Sequence, residues 1–113
     1  MNNKKLENLI KNIFCKYGLT INHSKICAKA LINAELVGAP SHGLSRLKMY
    51  CDRIKKKVIN PKPKIKIKKI SQSITHINAD NSIGFVVADI GIKKAIKNAK
   101  KNGFALVAIK NSG

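Results

Sequence analysis

"PKPKIKIKKI", residues 61–70, divides this chain into two kinds of structure. Pro61 and Pro63 forbid helix continuation, because proline lacks the backbone N–H and its ring clashes with the preceding turn. The strict alternation of residues 64–70 that follows has the period of a half-buried strand. Upstream the apolar residues recur at helical spacing; downstream helix and strand signals mix.

Upstream, Leu6, Leu9, Ile10, Ile13, Phe14 and Tyr17 form an apolar stripe that predicts a helix over residues 4–17, stopped by Gly18. Thr20 or Asn22 can cap a second helix at 22–37, with Ile26, Cys27, Ala30, Leu31, Ala34 and Val37 as its apolar face and Gly38 as its close. Ser41 can cap a third at 42–57, burying Leu44, Leu47, Cys51 and Ile54. Lys55, Lys56 and Lys57 would then sit in its last turn, where cations suit the helix dipole. Downstream, a strand is expected at 73–78, a polar turn at "ADNSIG", and a helix at 84–101 with Val87, Ile90, Ala95, Ile96 and Ala99 inward. Gly103 stops that helix, and "FALVAI", 104–109, is a continuous apolar run that reads as a buried strand. The expected fold class is α/β (α+β): a helical domain at 1–60, then the start of an α/β domain at 61–113.

Composition bounds the function. The 113 residues carry 23 Lys and Arg against five acids, a net charge of +18. A balance so basic raises a polyanion partner. The lysines, however, are spread along the whole chain, no stacking aromatics lie among them, and isoleucine and asparagine are heavily used as well, as base composition alone produces. No nucleic-acid or membrane partner is therefore expected. Cys15, Cys27 and Cys51 form no C-x-x-C pair and no metal-ligand spacing with the three histidines, so they read as buried thiols of a reducing compartment, with no metal. The N-terminus shows no signal peptide and no window has the roughly 18 apolar residues of a membrane span, so a cytoplasmic, soluble protein is expected.

Chemistry concentrates in "GAPSHGLSRLKMY", residues 38–50. On a helix, positions 42, 46 and 50 advance about 40° per step, so His42, Arg46 and Tyr50 share one face, apart from Leu44, Leu47, Cys51 and Ile54. Histidine can exchange a proton with a carbonyl or hydroxyl group, arginine can grip a carboxylate through two parallel hydrogen bonds, and tyrosine can donate one more. Ser41 can cap the helix or orient His42, and helix N-terminal N–H groups favour anions. The plain alternative makes Ser41 only a cap, His42 an exposed first-turn residue and Arg46 one more surface cation. Arg46 and Arg53 are the only arginines among the 23 basic residues, which favours the first reading for Arg46, because a planar fork is not replaced by a point charge. Arg53, His23, His76 and the lysines of 93–101 read as surface or structural residues.

"GAPSHGLSRLKMY", "INPKPKI", "DNSIGFVVA" and "GFALVAIKNSG" together resemble the N-terminal third of the malate/L-lactate dehydrogenase family, in order and over essentially the whole chain. The resemblance implies a non-Rossmann NAD(P)-binding fold, usually a homodimer, that interconverts 2-hydroxy and 2-oxo acids with NAD or NADP as cofactor. It also implies proton transfer by His42, aided by Ser41, and a substrate carboxylate pocket lined by Arg46 and Tyr50. In the family the last strand is followed by N-S-x-H-[FY]-G, whereas this chain reads Asn111-Ser112-Gly113, so a fragment with most cofactor contacts elsewhere is expected. The competing class is a small basic, non-enzymatic binding protein for nucleic acid or anionic surfaces.

Overall fold

The computed structural model describes residues 3–36 and 40–112, with side chains at 4–33 and 46–112. It divides into two compact units, Met1–Lys62 and Pro63–Gly113.

The first unit is three helices: α1, Asn3–Lys16; α2, Ile21–Leu36; and α3, Pro40–Lys55. α2 packs against both of the others. Ile10 and Phe14 of α1 are fully buried, while Leu9 and Tyr17, expected in the same stripe, are 49% and 38% exposed. The buried stripe is therefore narrower than the spacing suggests. On α2 the buried positions are Ser24, Cys27, Ala28, Leu31 and Ile32, at the i, i+3, i+4, i+7, i+8 spacing of one helix face. That face is rotated relative to the expected one, leaving Ile26 and Ala30 half-buried. Val37 and Gly38 lie outside the described residues, as does the side chain of Ala34.

The helix ends follow from local chemistry. Gly18 takes φ +105°, and the N–H groups of Gly18 and Leu19 donate to the carbonyls of Cys15 and Phe14. This is a Schellman close, which needs a left-handed residue after the helix. Of the two candidate caps for α2, Thr20 acts: its Oγ1 accepts the His23 N–H at 3.2 Å. α3 begins at Pro40, earlier than the expected residue 42, since proline suits a first helical turn that needs no N–H donor. It also ends at Lys55, short of 57. Lys57 swings to φ +63°, and the Lys57 and Val58 N–H groups donate to Ile54 O and Arg53 O, so a lysine fills the place that glycine fills after α1.

The second unit is a three-stranded sheet with one helix: β1, Lys66–Lys69; β2, Ile74–Asn78; α4, Gly84–Asn102; and β3, Leu106–Lys110, in the order β1-β2-β3. β1 pairs antiparallel to β2 and β3 parallel to it. Thr75 and Ile77 point toward α4, and Ile77, Ala79 and Val87 make the core with Ile65, Ile90 and Val107 around them. The class is α/β, as the alternation of signals indicates.

Two strands are less covered than expected. All four residues of β1 are exposed, Ile67 at 49%, because β1 is an edge strand and α4 packs over β2 and β3. β3, expected to be buried, leaves Leu106 58% and Ile109 41% exposed. Among the described residues it has β2 as its one strand neighbour, and its Leu106 and Ala108 side face away from the helix. Ile96, expected inward on α4, is 51% exposed, whereas Val86, Val87 and Gly91 are buried.

Candidate functional site

α3 carries all four candidate residues on one continuous helix. At about 1.5 Å rise per residue, position 42 precedes position 46 by about 6 Å and position 50 by about 12 Å along the axis. Arg46 is exposed and Tyr50 half-buried, while Cys51, turned away from Arg46, and Ile54, one turn beyond Tyr50, are buried and Leu47 is half-buried. The helix thus buries an apolar side and leaves the Arg46 guanidinium accessible to a carboxylate. The side chains of Ser41, His42 and Leu44 lie outside the described residues; their backbone is helical.

The other candidates separate from this face. Arg53 is exposed near the end of α3, where its carbonyl accepts the N–H groups of Val58 and Ile59. His23 is half-buried on α2, and burial lowers its pKa from 6.5. His76 is exposed on the side of the sheet away from α4, beside Lys68 of β1 and Ala108 of β3. Burial pushes the Cys27 thiol up to about 12, and burial followed by the Asp52 charge raises that of Cys51. Neither is a nucleophile at neutral pH, because only a thiolate attacks. The Cys15 thiol donates to Ser24 Oγ at 3.3 Å. Among the described residues no cluster of His, Cys, Asp and Glu could hold a metal ion.

The structure also gathers polar residues that spacing does not connect. At the carboxyl ends of β2 and β3, Asn78 Oδ1 accepts the Asp80 N–H and the Asn111 Nδ2–H, both at 3.1 Å, and the Asn81 N–H donates to Asn111 O at 2.7 Å. Asp80, Asn81 and Asn111 all have positive φ, at 51°, 60° and 56°. Asp and Asn are the non-glycine residues that tolerate this region best, which is the sequence signal for the turn. Asp80 Oδ2 further accepts the Lys64 N–H at 2.9 Å. These groups satisfy one another, so the cluster builds the turn into α4.

The whole chain, residues 1–113, matches the malate/L-lactate dehydrogenase family. It is 36% identical over 108 residues to the NAD(+) ureidoglycolate dehydrogenase of Escherichia coli strain K12, covering 96% of this chain and 31% of that protein. It is 39% identical over 104 residues to the L-sulfolactate dehydrogenase of Methanocaldococcus jannaschii, covering 92% of this chain and 30% of the relative. The solved malate dehydrogenase of Pyrococcus horikoshii OT3 superposes with a TM-score of 0.94 at 35% identity, over 100% of this chain and 32% of that one. The fold is that of about a third of the chain in solved malate and sulfolactate dehydrogenases. The chain belongs to the malate/L-lactate dehydrogenase family and spans about a third of the length of the curated relatives it matches.

The turn entering α4 does not suit a dinucleotide's phosphates. The turn entering α4 is Asp80-Asn81-Ser82-Ile83, where a carboxylate stands in place of a glycine-rich phosphate cradle. Buried Ser82 spends its hydroxyl on Ile83 O at 2.9 Å.

Proposed function

We propose that this chain is the substrate-facing part of an NAD(P)-dependent oxidoreductase that interconverts 2-hydroxy and 2-oxo acids. The observation that carries the proposal is the family match over all 113 residues, with positions 41, 42, 46 and 50 on one helix. In this reading Arg46 holds the substrate carboxylate by a charge-assisted fork. Tyr50 adds a hydrogen bond to the same group. His42 takes the hydroxyl proton as the C2 oxygen becomes a carbonyl, returns it in the reverse direction, and is steadied by Ser41. The two-electron chemistry belongs to the nicotinamide cofactor, NAD or NADP, both of which appear in relatives' names. Malate, sulfolactate and ureidoglycolate, the compounds named for the relatives, are the substrates to try first.

Cytoplasmic location and homodimeric assembly belong to the same proposal. Three free cysteines suit a reducing compartment, and among the described residues no helix is long and apolar enough to cross a membrane. The test is NAD(P)H oxidation by a panel of 2-oxo acids, measured on a protein carrying the full family length with residues 1–113 at its start. Turnover of at least one 2-oxo acid, and none of the matching ketone without the carboxylate, is expected. Equal turnover of acid and ketone would remove the carboxylate from recognition.

A further inference from the structure

Lysines meet at a second place, outside the α3 face. Lys94, Lys97 and Lys101 stand at i, i+3 and i+7 on α4, hence on one side of the helix, and Lys69 of β1 closes the rim opposite them. Together they surround a recess of about 180 Å³, well above the roughly 10–15 Å³ that one water needs.

The floor of the recess is fixed. Asn98 Nδ2 donates to Thr75 Oγ1 at 3.2 Å, and Asn102 Nδ2 donates to Gln72 O at 2.8 Å, pinning the C-terminal half of α4 to β2 and to the turn before it. Thr75 is fully buried and Asn98 half-buried. No acid lines the recess. Asp89 is taken by Lys93 at 3.0 Å, one step round the helix, and Asp80 accepts from Lys64 N–H at the far end of β2. Four ammonium groups round one rigid hollow repel one another, and the carbonyl end of α4 relieves that for the lysines nearest it only. An anion with several acceptor oxygens would relieve it for all four.

We propose that this recess binds a phosphate group, as a free anion or as the phosphoryl end of a small metabolite. Lysine serves such a ligand as a mobile point charge, and four of them can each reach a different oxygen. Four lysines line the recess with Gln72, Asn98 and Asn102, so a phosphate entering it meets ammonium and amide groups.

The experiment is calorimetric titration of the intact protein with inorganic pyrophosphate and, separately, with ADP. Two charge-matched variants are compared with the parent: Lys94→Gln/Lys97→Gln/Lys101→Gln at the recess, and Lys66→Gln/Lys68→Gln/Lys110→Gln on the opposite face of the sheet. Saturable binding is expected, weakened at least about tenfold in the first variant and changed less than about threefold in the second, as loss of charge-assisted contacts at one site requires. Tighter pyrophosphate identifies a free anion, and tighter ADP a phosphorylated metabolite. Lys97→Gln alone, which leaves the floor intact, should show an intermediate loss and guards against misfolding of the triple variant. Absence of saturable binding overturns the proposal. So does equal loss in both triple variants, which would mean attraction to summed charge, as for a nucleic acid.

Discussion

A Cβ on Gly91 would lie 3.2 Å from Ile109 Cδ1 and 3.6 Å from Val107 Cγ1, so α4 rests on β3 at a point where its own side chain is missing. The close approach puts Val87 and Ile90 of the helix against Ile77 and Val107 of the strands. Gly91→Ala brings opposing effects. Alanine is better than glycine in a helix by about 0.5–1 kcal/mol. Against this, Ile109 must move by a few tenths of an ångström, and it can, because the near atom is the end of a flexible side chain that is 41% exposed. Denaturant unfolding should place Gly91→Ala within about 1 kcal/mol of the parent, while Gly91→Leu should cost about 1–3 kcal/mol through overpacking. A leucine variant as stable as the parent would show that helix and strand are not in contact here.

The two helix ends of the first unit make opposite predictions from the same geometry. Gly18 has φ +105° and its added Cβ would meet Pro61 at 3.4 Å, so Gly18→Ala places a side chain in a left-handed conformation and should cost about 1–2 kcal/mol. Lys57 already carries that burden at φ +63°. Lys57→Gly should therefore stabilise by about 0.5–1 kcal/mol, despite the greater flexibility of glycine in the unfolded chain. Paired melting curves check the signs, and a destabilised Lys57→Gly would contradict the left-handed close.

Helices were legible in this sequence because each needs only its own spacing and its own end signals. Leu, Ile and Phe at three and four residues mark α1, Gly18 and Gly103 mark two closes, and Thr20 marks a start. Lys57 was not legible as a helix close, since lysine has no intrinsic preference for positive φ; the carbonyls of Arg53 and Ile54 impose it. Strand exposure was illegible for a different reason. The alternation of 64–70 reports an extended chain, but whether Ile67 is covered depends on where α4 lies, which residues 64–70 do not encode. The cluster of Asn78 and Asn111 likewise joins positions 33 apart, and only the parallel pairing of β2 with β3 brings them together. Positions 42, 46 and 50 needed nothing but an unbroken helix, which α3 supplies.

Cys27 makes stability depend on alkaline pH. Its thiol is held protonated by burial, with the pKa raised from 9.0 to about 12. Above about pH 9 the unfolded chain gives up this proton and the folded chain keeps it, so the unfolded state binds fewer protons and stability falls as pH rises. The contribution is full below about pH 9 and declines toward about pH 12, at about 1.4 kcal/mol per pH unit. Unfolding free energies measured from about pH 8 to about pH 10 should fall more steeply in the parent than in Cys27→Ala. The slope is the readout, because removing the sulfur also lowers stability at every pH. Parallel slopes would mean that this thiol ionises in the folded protein.

The proposed roles on α3 separate kinetically, in a protein that carries the full family length. Arg46→Lys keeps the charge of an exposed side chain but loses the planar fork. The 2-oxo acid should bind more weakly by about 1–3 kcal/mol, seen mainly as a higher KM. His42→Asn removes the group that exchanges the proton and should lower kcat by about 10²–10⁴-fold with a smaller change in KM. Tyr50→Phe deletes one hydroxyl from a half-buried ring and should raise KM by less than Arg46→Lys does, since a neutral hydrogen bond contributes about 0.5–1.5 kcal/mol. Steady-state assays of the three variants with the same 2-oxo acid distinguish these signatures. Parental kcat in His42→Asn would take that residue out of proton transfer, and an unchanged KM in Arg46→Lys would move the carboxylate contact to another part of the protein.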